Sequence, residues 1–360
     1  MGVSDWLAGY DTNDLCIATA ASHSSLQIFH GAKKLGFRTM AIIQGDRDLR
    51  YYDAYPAARP DKILRLDDFH QLIDMAEALR EDNVILVPHG SLIEYMGTEG
   101  FTKIEVPVYG NRHVLEFESD RDKERLWLED AGITMPREIT DPRDITEPVI
   151  VKYHGAKGGK GFFIAKNYHE YKRQIQEGEP HTIQEFVMGT RYYLHYFHSR
   201  LDRRGFVVDG EGEDEAHGTL QMLSIDRRDE SNIDELNRIG SIKELQEAGI
   251  DPQFVVTGNI PMVIRESLLP KVFQMGEGVV KESYKRFGGL WGPFCLETIV
   301  TPDLEFKVFE ISARIVAGTN PFINGSPYSE MIEPNLSTGI RISQEIQKGA
   351  NEGRLAEICT

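Results

Sequence analysis

Two glutamates, Glu297 and Glu310, constrain this chain more than any other pair of its residues. They lie in the strand-like runs Phe294-Cys295-Leu296-Glu297-Thr298-Ile299-Val300 and Phe306-Lys307-Val308-Phe309-Glu310-Ile311, separated by Thr301-Pro302-Asp303-Leu304-Glu305, which reads as a turn. Pairing Thr301 with Phe306 across the intervening loop places Glu297 directly opposite Glu310. Side chains alternate faces along a strand, so both carboxylates then project on one face. Like charges about 5 Å apart at an effective dielectric of about 20 repel by roughly 3 kcal/mol. Such a pair persists only with a cation or a shared proton. Mg²⁺ takes one or two carboxylates and completes its shell with substrate phosphates, so the pair predicts a metal–nucleotide site.

The 360 residues allow two or three domains at about 150 residues each. A hydrophobic content of 41% supports an ordinary core. With 40 basic and 57 acidic residues the net charge is −17, which argues against a general nucleic-acid binder and against an anionic membrane surface. An anionic small ligand needs only a local patch of cations and N–H groups. Cys16, Cys295 and Cys359 share no metal-type spacing, and Cys16 and Cys295 sit inside apolar runs, so buried free thiols are expected. No positively charged start leads into an apolar run and no stretch approaches membrane-spanning length, so the expected location is the cytoplasm.

Residues 14 to about 110 alternate apolar runs with helical patterns. Strands are expected at Leu15 to Ala20, Thr39 to Ile43 and Val84 to Val87. A helix capped by Ser24 or Ser25 would present Leu26, Phe29, Ala32 and Leu35, and another is expected over Asp67 to Arg80. This βαβ rhythm implies an open parallel α/β sheet. A helix over Ser119 to Ala131, its first turns loaded by Asp120, Asp122 and Glu124, leads into a second unit. The predicted domains are 1–120, an N-terminal α/β substrate domain; 121–200, a nucleotide subdomain; and 201–360, a subdomain carrying the glutamates. Asp209 to Gly218 reads as an exposed mobile loop.

Val149-Ile150-Val151-Lys152 ends a β-branched strand on a lysine, and Gly155-Ala156-Lys157-Gly158-Gly159-Lys160-Gly161 follows. Glycines let a backbone approach phosphate oxygens and form an anion nest, to which Lys152, Lys157 and Lys160 add charge. No Ser or Thr follows Lys160, so this is not a P-loop. About twenty residues on, Gln184 and Glu185 can bond an adenine amino group and the Val187 N–H a ring nitrogen.

Strand-lysine, Gly-rich loop, Gln-Glu-Phe-Val-x-Gly and two glutamates on adjacent strands together resemble the ATP-grasp superfamily, from residue ~120 to ~320. Ser312 stands where many members have Asn. Ala20-Ala21-Ser22-His23-Ser24-Ser25, Val87-Pro88-His89-Gly90-Ser91, Tyr109-Gly110-Asn111-Arg112, Ser224-Ile225-Asp226-Arg227-Arg228, Thr257-Gly258-Asn259 and Phe309-Glu310-Ile311-Ser312-Ala313-Arg314 narrow the match. Over nearly the whole chain they resemble the archaeal FAICAR synthetases, the PurP family. The resemblance implies an ATP-grasp fold behind an open parallel α/β domain, and a ligase that formylates the 5-amino group of AICAR with ATP and formate in purine synthesis. It implies Mg²⁺ or Mn²⁺ at Glu297 and Glu310, ATP at Lys152, Lys157, Gly158, Gly159, Lys160, Gly161, Gln184, Glu185, Val187 and Glu230, and AICAR at His23, Ser91 and Asn259.

The residues agree with this in one respect. His23 and Ser91 each follow a strand and begin a helix-like segment, so both loops can face one crevice with N–H groups toward a phosphate. Arg314 can stabilise a transferring phosphoryl group, or pair with one of the glutamates. Lys152 and Arg314 are the candidate catalytic cations. A carboxylate–amine ligase with another acceptor and a non-catalytic purine-ribotide binder are the alternatives, and a homo-oligomer is left open.

Overall fold

The computed structural model describes residues 2–154, 161–210, 216–231 and 255–360, with residues 247 and 249 besides. Strands β1 (Cys16–Ala20), β2 (Arg38–Gln44), β3 (Lys62–Leu66) and β4 (Val84–Leu86) form a parallel sheet in the order β3-β2-β1-β4. Every residue of β1 is buried, which is why this strand reads as a continuous apolar run rather than an alternating one. The chain runs outward from β1 to β3 and returns on the far side of β1 as β4. The strand order therefore reverses between β1 and β4, and ligands of open α/β sheets bind outside such a switch. The helix expected over Asp67 to Arg80 is instead two pieces, Gln71–Asp74 and Ala76–Glu81. Asp68 bonds the His70 N–H (2.7 Å) from outside the helix, as turn-favouring Asp side chains do.

Three antiparallel strands, β5 (Val149–Tyr153), β6 (Phe162–Ala165) and β7 (His181–Glu185), make a second sheet in the order β6-β5-β7. It has its own core of Ile139, Ile145, Val149, Val151, Ala165, Tyr171 and Ile183. The third sheet contains β8 (Thr190–Ser199), β9 (Phe206–Asp209), β10 (Ala216–Glu230), β11 (Val256–Met262), β12 (Gly292–Val300) and β13 (Phe306–Ser312), ordered β11-β10-β8-β12-β13 with β9 also on β10. Its apolar face, including Leu194, Ile225, Leu296 and Ile311, shares one core with Val272, Met275, Val279 and Val280 of the helix Leu269–Phe287. The backbone of Gly276 in that helix lies against Tyr196, where an added Cβ would come within 2.8 Å of the ring.

These sheets move the expected boundaries. Strand β8, inside the expected 121–200 unit, belongs to the large sheet rather than to the sheet of β5, β6 and β7. The helix Arg121–Asp130 also belongs there: Trp127 Nε1 donates to the Val279 carbonyl (3.1 Å), and the Val308 N–H donates to Thr134 (2.9 Å). The last residues leave the large sheet altogether. Helix Thr338–Glu352 crosses helix Ser25–Lys34 where Gly31 meets Gly339, and a Cβ on Gly31 would lie 2.2 Å from the Gly339 carbonyl carbon. Residues 201–360 are thus not one unit. The expected loop at Asp209 to Gly218 is flanked by paired strand, with Ala216 opposite Asp209 and Gly218 opposite Val208; residues 211–215 lie outside the described residues.

All three cysteines are buried free thiols. Arg112 is buried as well, donating to the carbonyls of Ile104 (2.6 Å) and Val106 (2.7 Å), a structural clasp. Among the described residues no helix is long and apolar enough to cross a membrane.

Candidate active site

The hairpin of β12 and β13 brings Glu297 opposite Glu310 by a different route from the expected one. At its tip Val300, not Thr301, pairs with Phe306, and Thr298 pairs with Val308. That register alone would misalign the glutamates. A bulge between Glu297 and Thr298 leaves Phe309 unpaired and restores the match. Both carboxylates share a face, but not an environment. Glu297 is only 5% exposed, whereas Glu310 is exposed. Burial first, and then the Glu310 charge, push the Glu297 carboxyl up to about 7, against the pull of Arg228.

The same face carries a row of polar side chains across the large sheet. Tyr193 on β8 is opposite Glu297, and Asp226 on β10 is opposite Tyr193. Asn259 on β11 is opposite Arg228. Arg228 Nη2 donates to Glu297 Oε1 (2.9 Å) while its guanidinium lies 3.7 Å from the centre of the Tyr193 ring. Asp226 accepts from Asn259 Nδ2 at 2.7 Å and meets His195 Nε2 at 2.5 Å.

Two further glutamates lie close by. Glu124, read from sequence as a helix-start charge, is buried and accepts the Ile311 N–H (2.7 Å). Glu118 accepts the Ala313 N–H (2.9 Å) and pairs with Arg314 (3.0 Å). The Arg314 partner is therefore Glu118, not either of the expected glutamates. Burial raises both carboxyls; Arg314 opposes the shift at Glu118, and Glu310 adds to it at Glu124. The two groups hold the outer edge of β13 beside Glu310.

On the side of the parallel sheet, Ser22 and Ser91 meet Oγ to Oγ at 2.8 Å, which joins the loops after β1 and β4. His89 caps the helix Gly90–Thr102: its Nδ1 accepts the Ser91 N–H (3.2 Å) and its Nε2–H donates to the Ala20 carbonyl (2.8 Å). Burial lowers this histidine to about 3. Its ring centre is 4.8 Å from that of His23. Burial, then Arg314, then Arg228 lower His23 to about 4. A Cβ on Gly90 would sit 3.2 Å from Arg314 Cζ and 3.3 Å from His23 Nε2, so glycine is what lets these groups converge. The structure thus brings His23 and Ser91 together, with Arg314 between them and the glutamates.

On the side of the small sheet, Lys152 Nζ donates to Gln184 Oε1 (3.1 Å) and lies 5.9 Å from the centre of the Phe309 ring. Arg191 sits 5.7 Å from the same ring and pairs with Glu230 (3.2 Å). Burial lowers Lys152, with Arg121 adding to the shift and Glu310 opposing it. Glu185 is bound to Lys307 (2.8 Å). Among the described residues the Val187 N–H has no protein acceptor. Gly161, at φ +76°, accepts the Tyr153 N–H (2.9 Å). The candidates Lys157, Gly158, Gly159 and Lys160 lie outside the described residues.

The donor set suits a hard divalent cation, being two carboxylate oxygens on one face. Among the described residues no cluster of three His, Cys, Asp or Glu side chains could hold a metal ion alone. Two carboxylates completed by ligand phosphates is the Mg²⁺ habit rather than that of an all-protein cage.

Comparison with known proteins gives the family and the fold. Residues 168–360 match a family described as "Domain of unknown function (DUF1297)", and residues 17–139 match "Protein of unknown function (DUF1246)". The chain is 58% identical to the 5-formaminoimidazole-4-carboxamide-1-(beta)-D-ribofuranosyl 5'-monophosphate synthetase of Methanococcoides burtonii, over 98% of this chain and 97% of that one. It is 46% identical to the synthetase of the same name from Pyrococcus horikoshii, over 96% and 99% of the two chains. Among solved structures it resembles the IMP biosynthesis protein PurP of Thermococcus kodakaraensis, with a TM-score of 0.72 at 27% identity, covering 96% of this chain and all of that one. N5-carboxyaminoimidazole synthetase of Staphylococcus aureus complexed with ADP superposes with a TM-score of 0.61 at 12% identity, covering 94% and 79%, a likeness of fold alone. The chain belongs to the PurP family of 5-formaminoimidazole-4-carboxamide ribotide synthetases, ligases of the ATP-grasp fold.

Proposed function

We propose that this chain formylates the 5-amino group of AICAR with ATP and formate, releasing ADP and phosphate. Formate oxygen attacks the γ-phosphorus, the bond to ADP breaks, and formyl phosphate forms. The amine then attacks the formyl carbon, loses a proton, and phosphate leaves. Carboxylate oxygen is a poor leaving group and phosphate a good one, which is why ATP is required. The work of the residues is positioning and charge stabilisation, with no covalent enzyme intermediate.

One observation carries this reading. The crevice of His23 and Ser91 lies against Arg314, whose partner Glu118 holds the edge of β13 beside Glu310, and that strand meets the small sheet at Phe309, near Lys152. A ribotide and a nucleotide can therefore approach opposite sides of one carboxylate pair. Glu297 and Glu310 would hold Mg²⁺ or Mn²⁺, which when bound would neutralise charge on the ATP phosphates. Lys152, Gly161, Gln184, Glu185, Val187 and Glu230, with Lys157, Gly158, Gly159 and Lys160, are assigned to ATP. His23 and Ser91, on the joined loops after β1 and β4, would take the ribotide phosphate, and Asn259 would contact the base. Arg314 would stabilise charge on the transferring phosphoryl group.

The test is to mix protein, ATP, Mg²⁺, formate and AICAR and to measure ADP and the formylated ribotide. Formation of both, dependent on formate, is the expected result. ADP released only with another carboxylate or amine would sink the substrate assignment and leave the fold untouched.

A further inference from the structure

Asp226 is fully buried, and both of its oxygens are committed. Oδ1 lies 2.5 Å from His195 Nε2, and Oδ2 lies 2.7 Å from Asn259 Nδ2. Gly318 closes over them, so tightly that a Cβ there would come within 2.4 Å of Oδ1. His195 is buried too, and its Nδ1 has no partner among the described residues, so its one bonded nitrogen serves Asp226. Asn259 Nδ2 donates to Asp226 Oδ2, and a side-chain amide has a donor end and an acceptor end. The Asn259 amide must therefore turn its NH₂ inward to Asp226. Its oxygen is left to face outward, on the half-buried side it shares with Arg228.

We propose that Asp226, steadied by His195, is a positioning residue that presents Asn259 to the ribotide as an acceptor, so that the site selects the 4-carboxamide and rejects a 4-carboxylate. The inference rests on the reading that the ribotide base reaches Asn259. A carboxamide can turn an N–H toward the Asn259 oxygen. A carboxylate can offer only oxygen against oxygen, and buried polar groups left so unmatched are what give hydrogen-bonding sites their discrimination.

The experiment compares AICAR with the same ribotide bearing a carboxylate in place of the carboxamide. It uses kcat/KM with ATP and formate, and calorimetric binding, for the wild-type protein, Asp226→Asn and Asn259→Leu. The wild-type protein is expected to prefer the carboxamide by about 100-fold or more. Both substitutions should lower kcat/KM for the carboxamide by about 10-fold or more, leave the KM for ATP unchanged, and bring the two ribotides within a few-fold of one another. Loss of preference in Asp226→Asn alone would show a simple effect of the buried charge and overturn the proposal. Equal losses on both ribotides, the mark of a structural role, would also overturn it. So would an undiminished preference in Asn259→Leu, including one with reduced kcat, which would place the amide on the reacting amine instead. A wild-type protein that binds the carboxamide ribotide selectively without turning it over would fail the preceding reading and leave this one standing. Binding of neither ribotide would overturn both.

Discussion

The two faces of the large sheet are built from the same strands and do opposite things. Leu194, Ile225, Leu296 and Ile311 are fully buried in the core that the sheet shares with helix Leu269–Phe287. One residue away along each strand, Tyr193, Asp226, Glu297 and Glu310 form the polar row. A period of two lets each strand contribute to both faces at once. Fully burying a side chain of the Leu or Ile class is worth roughly 1.5–3 kcal/mol. That is the size of the repulsion between two carboxylates about 5 Å apart at an effective dielectric of about 20. The apolar face can therefore hold in place a charge arrangement that would not assemble by itself.

Glu297→Gln is the sharpest way to separate the faces. It should lower ADP formation by about 100-fold or more with the fold retained by circular dichroism; unchanged turnover would remove the metal role from this pair. The neighbouring substitution Leu296→Ala should do the reverse. It should cost about 2–5 kcal/mol in urea unfolding and leave kcat/KM within a few-fold at temperatures where the protein is folded. A large loss of activity in folded Leu296→Ala would break the comparison.

His89 asks whether burial alone can set the state of a polar group. Its value is lowered from 6.5 to about 3, chiefly by burial. The unfolded chain therefore binds the proton first as pH falls. The stability associated with neutral His89 is complete above pH 6.5 and declines below it, by about 2 kcal/mol at pH 5. Against His89→Gln, the wild-type protein should lose that much extra stability between pH 7 and pH 5 in urea titrations; parallel curves would refute it. The smallest effect is expected at Asp120, which accepts the N–H groups of Asp122 and Lys123 at the start of the helix bearing Glu124. Asp120→Ala should cost about 1 kcal/mol of stability in the same assay. A fall in kcat beyond that loss of folded protein would show that the helix also aims β13.

Much of this site was legible in the chain because strand alternation and loop chemistry are local. The glutamate hairpin, strands β1, β2 and β4, and the approach of the His23 and Ser91 loops follow from short-range patterns, whereas β3, mostly exposed along Lys62–Leu66, carries no apolar run to announce it. Strand order is not local. Arg228, Tyr193, His195 and Asp226 come together only because β8 lies between β10 and β12, and no spacing in the sequence announces that order. Asp226 and Arg228 stood two apart in a quoted run, which gave them one face but no neighbours. Glu118 and Glu124 were hidden for a different reason. Glu124 at a helix start has an ordinary explanation in the helix dipole, and the backbone partners of Glu118 and Glu124, Ala313 and Ile311, lie far along the chain. Chain order and sheet membership part company at β8 and again at helix Thr338–Glu352.

Phe309 gives the hairpin a property that neither strand has alone. Between Val300 and Phe306 the ladder runs in one phase, and beyond Glu297 in another, with the unpaired Phe309 absorbing the difference. The tip is therefore set off from the end that carries the glutamates. Substitutions at Pro302, Asp303 or Leu304 can drift without rotating a carboxylate out of line, and loss of the single residue Phe309 would leave Thr298–Val308 and Glu297–Glu310 in one continuous register. The surplus residue is also the ring on which Lys152 and Arg191 rest. A deletion there would keep the glutamates opposite one another and remove the bearing on which Lys152 and Arg191 rest.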